Sequence, residues 1–410
     1  MKRLTKHSRR IAVCMIVAVL AVRTFAADRS ICPVITSERR PALVFVEGPV
    51  NQSNLYVAWL DGGALRREKI ISAKYVEATQ LDKALFLVSA VEGSTDGRVY
   101  AADLGAGVLE FVADGTRTHC IRSEPGRGAA LLMDANLGAG LIRLLELDFG
   151  SLNVTERHRL SSELLGDDFK FIGPKVRISP DFTRIAYVRR SGPLKVERRS
   201  RYDLRLLDLA TMEVQTLDPN VEVEISMASS FSCGRPPFEW LNEKEVLYCS
   251  AAPGGPAEVV GFDANRVTHF KVVDTESGQS KELFRKSLRL TLDGGSLRTD
   301  PLTGRLIYND ELVLDLDGGL LTPKNLPFAV VRDYSSRTTN ILCGRHVLYT
   351  GAAHCVGQLA SASGTNFAYA LRERSPSLHT TLYARIANRD EPLKAAEGPY
   401  LPTRAIGWIE

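Results

Sequence analysis

ISPDFTRIAYVRR, residues Ile178 to Arg190, decides the fold. Pro180 fixes φ at the second position of a type I turn, and Ser179 before it and Asp181 after it suit that geometry. The chain then reverses into the apolar run Ile185-Ala186-Tyr187-Val188, so a strand from Lys175 to Ser179 is expected to return as a second strand from Thr183. A third and a fourth follow in YDLRLLDLATMEV, Tyr202 to Val214, which reads as strand, turn, strand.

That last hairpin is repeated along the chain. Stretches of the same form begin at Leu55, Arg98, Leu141, His269, Glu311 and Thr381, with turns near residues 59, 103, 146, 208, 274, 315 and 385. Repeats at this period point to a stack of similar units, and the shortest spacings suit one four-stranded blade each. Second strands are expected at Ala84–Ala90, Ala129–Asp134, Arg184–Arg189, Lys244–Ser250, Arg305–Asn309 and Thr365–Leu371. Their apolar runs are nearly continuous, as expected when neighbouring sheets cover both faces. PALVFVEG from Pro41 lacks an inner strand of its own, while RAIGWIE, Arg404 to Glu410, parallels PFEWLNE from Pro237. The tail should therefore supply the missing strand and close the ring, which removes exposed edges.

The segment from Lys175 to Leu217 resembles the TolB-like, WD-type propeller repeat, with Phe182 standing where that family has Gly. The resemblance is fair over Phe238–Phe284 and faint elsewhere. It implies an all-β propeller of four-stranded antiparallel blades. Seven are expected, with six or eight also compatible, because residues 324–353 fit no unit cleanly.

Of 410 residues, 44% are hydrophobic and 24% charged, the ordinary globular range. The N-terminus has five basic residues before an apolar stretch from Ile11 to Val22, then Thr24-Phe25-Ala26, the pattern of a cleaved signal peptide over 1–26. The apolar stretch falls short of the roughly 20 residues a spanning helix needs. Arg9-Arg10 resembles a twin-arginine signal, but the match stops there and the ordinary secretory route is expected. Residues 27–410 should form one propeller domain, periplasmic or secreted, with no membrane span after cleavage. The signal holds six of the 52 basic residues and no acid, so the rest carries 46 basic against 48 acidic residues. No clustered positive charge remains for nucleic acid. Six cysteines remain in a chain bound for an oxidising space, and proximity in sequence favours pairing Cys233 with Cys249 and Cys343 with Cys355, leaving Cys32 with Cys120.

Chemistry is sparse. A propeller-fronted serine peptidase needs an α/β-hydrolase domain with G-x-S-x-G, and the chain has neither. The histidines beyond residue 26 are scattered, no zinc motif occurs, and Asp315 and Asp317 lack the later ligands of a calcium loop. No metal or other cofactor is implied. Segments assigned to inner strands carry Lys74, Arg122, Lys175, Arg177, Arg298 and Arg404 against Glu77, Glu239 and Asp300. A basic channel of that kind could hold a small anion or an acidic group of a partner. A second candidate surface is the insertion RRSGPLKVERRSR, with Arg189, Arg190, Lys195, Arg198, Arg199 and Arg201 on one loop face. The functional expectation is a non-enzymatic scaffold for a protein, peptide or glycan. The alternative is a propeller-class carbohydrate-active enzyme, a lyase or hydrolase, with carboxylates or histidine at the axis.

Overall fold

The computed structural model describes residues 30–48, 51–93, 97–114, 118–136, 139–165, 176–190, 199–224, 236–251, 265–289, 297–308, 312–325, 327–333, 336–373, 379–386, 389, 391–399 and 404–410. The expected signal segment, residues 1–26, lies outside them. Among the described residues no helix is long and apolar enough to cross a membrane.

The described strands form eight antiparallel sheets, the blades of a propeller. Blade 1 pairs Arg404–Ile409 with Ala42–Glu47, followed outward by Ser53–Asp61 and Ala64–Ala73. Blade 2 runs Tyr75–Gln80, Leu85–Val91, Gly97–Asp103, Val108–Asp114, and gains Ser30–Ile31 at its outer edge. Blade 3 comprises Thr118–Glu124, Ala129–Asn136, Leu141–Asp148 and Val154–Ser161. Blade 4 comprises Val176–Ile178, Arg184–Arg190, Arg199–Asp208 and Val214–Glu224. Blade 5 is built from Phe238–Trp240, Glu245–Ala251, Asn265–Asp274 and Ser280–Arg289, and blade 6 from Leu297–Thr299, Leu306–Tyr308, Leu312–Asp315 and Leu320–Pro323. Blade 7 has three strands, Phe328–Asp333, Thr338–Cys343 and His346–Gly351. Blade 8 closes the set with His354–Ala360, Phe367–Arg372, His379–Arg385 and Leu393–Pro399.

The described strands make eight blades rather than seven, one of the counts the sequence left open. The stretch 324–353 that fits no repeat is a sheet of its own, which accounts for the long spacing between the turns near 315 and 385. Its turns differ from those of the repeats: Gly344-Arg345 joins its last two strands without the aspartate that opens the turns at Asp148, Asp208 and Asp274. The closure expected of the tail is present, with Ala42 opposite Ile409, Leu43 opposite Trp408 and Val46 opposite Arg404.

Second strands are apolar on both faces because each sheet is sandwiched. ALVFVE, Ala42–Glu47, is buried at all but its last position. Its alternate side chains enter different cores: Ala42, Val44 and Val46 pack towards blade 2, whereas Leu43 and Phe45 pack with Ala368, Ala370 and Leu382 of blade 8. Similar buried clusters join blades 2 and 3, 3 and 4, 4 and 5, 5 and 6, and 7 and 8. Among the described residues none joins blade 6 to blade 7. Inner strands of blades 3, 4, 5 and 6 neighbour one another in that order, as do those of blades 8, 1 and 2, and so surround the axis.

The cysteines do not follow the expected pairing. Cys32, Cys120, Cys249, Cys343 and Cys355 are free thiols. Cys233, the partner expected for Cys249, lies outside the described residues. Cys32 sits beside blade 2, its Sγ directed at the Asp103 carbonyl, and Cys120 lies on the inner strand of blade 3. Cys343 ends a strand of blade 7, while Cys355 on blade 8 directs its Sγ to the Gly357 carbonyl. Burial pushes the Cys32 and Cys120 thiols up to about 12, so both stay protonated and poorly nucleophilic.

Candidate functional site

Short inner strands leave few side chains at the axis, and alternation selects among them. On Val176–Ile178, the outer two residues enter the core between blades 3 and 4, which leaves Arg177 on the other face. On Phe238–Trp240, Phe238 and Trp240 join the core between blades 4 and 5, which leaves Glu239. The two meet at the axis: Arg177 Nε lies 3.0 Å from Glu239 Oε2 as an ion pair, though its N–H is not aligned for a hydrogen bond. Both side chains are buried.

The network spans four blades. Arg122 of blade 3 donates from Nη1 to Glu239 Oε1 at 3.3 Å and to the Ile178 carbonyl at 3.4 Å, while its Nε pairs with Glu124. The Trp240 N–H donates to Oε1 at 2.9 Å and the Thr299 N–H of blade 6 to Oε2 at 3.1 Å. Arg177 Nη2 donates to the Leu297 carbonyl at 3.1 Å, and Trp240 Nε1 donates to the Arg177 carbonyl at 3.0 Å. Burial pushes the Arg177 guanidinium below the ordinary arginine range; Glu239 opposes this, and the nearby positive charges of Arg298 and Arg122 add to it. Arg122 and Arg177 are thus matched by Glu124 and Glu239, and Arg298 lies close enough to act on Arg177.

Other sequence candidates stand apart from this network, Glu77 and Arg404 on the inner strands of blades 2 and 1. Lys74 is exposed on the one-residue link between blades 1 and 2, and Arg404 is exposed at the start of the closing strand. Glu77 accepts a hydrogen bond from Tyr75 Oη at 2.7 Å on blade 2. Asp300 belongs to a turn, its Oδ1 accepting from the Leu302 N–H at 3.0 Å. Lys175 lies outside the described residues, as do Lys195 and Arg198. The insertion is shorter than expected, because its strands extend into it: Arg189 and Arg190 end one strand, and Arg199 and Arg201 lie on the next. Arg199 is in register with Glu224 and Arg201 with Glu222. Sequence reasoning missed Glu124, which ends its strand next to Pro125 and carries no motif.

Two histidine–carboxylate pairs among the described residues are peripheral. His269 Nδ1 lies 2.6 Å from Glu282 Oε2, and His379 Nε2 lies 3.6 Å from Glu397 Oε1, each pair bridging the third and fourth strands of a blade. Among the described residues no group of three or more His, Cys, Asp or Glu is placed to hold a metal ion.

Sheets stacked about an axis and closed by the terminal strand define the chain as a β-propeller. Solved structures with similar chain traces include TolB from Acinetobacter baumannii, at 12% identity over 90% of this chain and 68% of that one with a TM-score of 0.35. They also include the β-propeller domain of the trilobed protease from Pyrococcus furiosus, at 12% identity over 80% of this chain and 85% of that one with a TM-score of 0.36. Oligogalacturonate lyase from Vibrio parahaemolyticus matches at 11% identity over 79% of this chain and 73% of that one, with a TM-score of 0.31. At such identities the likeness is one of fold. No family model and no curated protein sequence matches the chain.

Proposed function

We propose that this protein is an exported, non-catalytic propeller scaffold that binds a protein or peptide partner. The observation that carries the reading is the state of Glu239. Both of its oxygens are engaged, by Arg122, the Trp240 N–H, the Thr299 N–H and the Arg177 ion pair. A general acid or base needs a free lone pair or proton directed at substrate. Glu239 is instead a clamp that ties blades 3 to 6 together, which suits a rigid platform for binding.

The test pairs two assays on the full chain. Cross-linking in cells followed by mass spectrometry should recover one reproducible protein partner, outcompeted by excess purified propeller. Incubation with acidic oligosaccharides should give no turnover. Sugar cleavage that Glu239→Gln abolishes, in a protein that still unfolds cooperatively, would replace the scaffold by the lyase or hydrolase reading.

A further inference from the structure

Charge is nearly balanced over the chain beyond residue 26, but not over each blade. The two outer strands of blade 5, Asn265–Asp274 and Ser280–Arg289, hold six Lys and Arg against two acids. Asp274 belongs to the turn between them, its Oδ1 taken by the Glu276 and Ser277 N–H groups, which leaves Glu282 as the one acid along their length. Register places the cations. Lys271 is opposite Glu282 and Arg285 opposite His269, and residues opposite one another in an antiparallel pair share a face. Lys281, opposite Val272, and Lys286, opposite Thr268, take the other face. On the outermost strand of a blade both faces border solvent: Lys281 and Arg285 are exposed, and Lys271 and Lys286 are half-buried.

These cations are unmatched. Glu282 is committed to His269, whose Nδ1 lies 2.6 Å from its Oε2. That hydrogen bond, with the charges of His269, Arg285 and Lys271 around it, holds the Glu282 carboxyl below the usual glutamate range. Asp218 of blade 4, which reaches across to blade 5, accepts from the Tyr248 hydroxyl. Among the described residues no carboxylate lies within ion-pair distance of Lys271, Lys281, Arg285 or Lys286, whereas Arg157 and Arg159 of blade 3 and Arg66 and Arg67 of blade 1 each have one. An apolar side chain stands among the cations. The register shift between Phe270 and Lys271 leaves Leu283 without an opposite residue, and Leu283 is 36% exposed. The residues bulged in the same way in blades 2 and 8, Val112 and Ala395, are buried. Lysines on an edge strand guard a sheet against stray pairing, but a leucine pushed into water beside them works against that end.

We propose that the outer strand of blade 5 is the docking surface for an acidic segment of a partner protein, whose carboxylates meet Lys271, Lys281, Arg285 and Lys286 and whose apolar side chain covers Leu283. This deepens the scaffold reading and rests on it. Unpaired like charges repel one another in the free protein, and an acidic partner removes that repulsion as it docks. A nucleic acid suits the surface less well, because its backbone sets phosphates against Glu282 and offers nothing apolar to Leu283.

The experiment uses the full chain and a fluorescent peptide of glutamates with one central leucine, matched to the 10 residues of Ser280–Arg289. Binding should saturate, weaken as salt screens exposed charges, and fall about tenfold or more in the double change Lys281→Glu and Arg285→Glu. A peptide with lysine in place of glutamate should bind the doubly changed protein and not the wild type, which also shows the changed protein to be folded. Leu283→Ser should weaken binding about threefold or more, while Lys69→Glu on the outer strand of blade 1 should leave it unchanged. Absence of saturable binding to the wild type overturns the proposal, as does a loss in Lys69→Glu equal to that in the double change. An oligonucleotide of equal charge that binds as tightly, and equally well to Leu283→Ser, would replace the protein segment by nucleic acid. A cross-linked partner held equally by the wild type and the doubly changed protein would leave the scaffold standing and sink only this site, whereas no partner from either would sink both.

Discussion

Glu239 and Phe182 show how single side chains set the blade geometry. Removing the carboxylate of Glu239 leaves Arg177 buried without its counter-charge, and uncompensated buried charge is far more costly than a lost surface pair. Glu239→Ala should therefore cost about 3–5 kcal/mol in urea unfolding. Arg159→Ala, which breaks an exposed pair with Glu156, should leave the midpoint unchanged. Equal effects would reduce the axial network to ordinary surface pairing. Phe182 poses the opposite balance, since its φ of +63° is the left-handed conformation that suits the glycine found there in TolB-like repeats. Gly would relieve about 1–2 kcal/mol of backbone strain. Yet the ring is buried in the core between blades 3 and 4, and Arg127 lies 4.4 Å above it. Losing a buried phenylalanine costs about 3–5 kcal/mol, so Phe182→Gly should destabilise by about 2 kcal/mol on balance. A stabilised variant would show that the turn, not the packing, governs this site.

Hairpins between third and fourth strands repeat one design. Asp148, Asp208 and Asp274 each close a five-residue turn, in which the N–H of the fourth residue onward donates to the aspartate carbonyl: Leu152 to Asp148, Met212 to Asp208 and Gly278 to Asp274, all at 2.9 Å. Backbone and hydroxyl groups of the turn also donate to each carboxylate, through Ser151, Ala210, Thr211, Glu276 and Ser277. For Asp148 and Asp274 the largest effect comes from the serine N–H, for Asp208 from the Thr211 N–H, and all three carboxyls titrate below the usual aspartate range. The closing residue has φ of +58° in Leu152, +59° in Met212 and +69° in Gly278. Met212 is 40% exposed and Leu152 only 6%, so glycine should act oppositely at the two. Met212→Gly should raise stability by up to about 1 kcal/mol, because relief of strain meets little lost burial. Leu152→Gly should lower it, because a core side chain disappears. Urea midpoints decide, and a loss at both positions would refute the strain argument. These hairpins were legible because aspartate, turn residues and flanking apolar runs recur together. Blade 7 was not, because Gly344-Arg345 between its last two strands carries no aspartate. Part of the axial network was legible too: once Phe238 and Trp240 are assigned to the core, alternation leaves Glu239 for the axis. The cysteine pairing failed because an even count says nothing about which blade each thiol occupies.

Closure of the ring depends on seven terminal residues, and its chemistry makes it sensitive to acid. Arg404–Ile409 hydrogen-bonds beside Ala42–Glu47, the Trp408 indole donates to the Leu359 carbonyl at 3.2 Å, and Gln80 Nε2 of blade 2 donates to the Trp408 carbonyl at 2.9 Å. Glu410 then latches the end to blade 8, its Oε2 accepting from the Ser363 N–H at 2.9 Å and its Oε1 from Asn366 Nδ2 at 2.9 Å and from the Ser363 hydroxyl. Partial burial raises the titration of this carboxyl, but hydrogen bonds from Ser363, Ser361 and Asn366 outweigh it and hold the group below the usual glutamate range. A carboxyl lowered on folding stabilises the native state above its unfolded pKa, about 4.3, and that contribution disappears as pH falls through the lower folded value. Wild-type stability should accordingly fall on acidification below that range more steeply than that of Glu410→Gln, which has no latch to protonate. Parallel pH profiles for the two would show that the latch contributes nothing. Deleting residues 404–410 should go further, because it bares the edge of Ala42–Glu47 and the apolar faces of Leu43 and Phe45 to water. The truncated chain should self-associate in sedimentation, and a peptide of residues 404–410 added in trans should return it to a monomer; a truncated chain that stays monomeric and as stable as the wild type would mean that the tail covers the first blade without closing the ring.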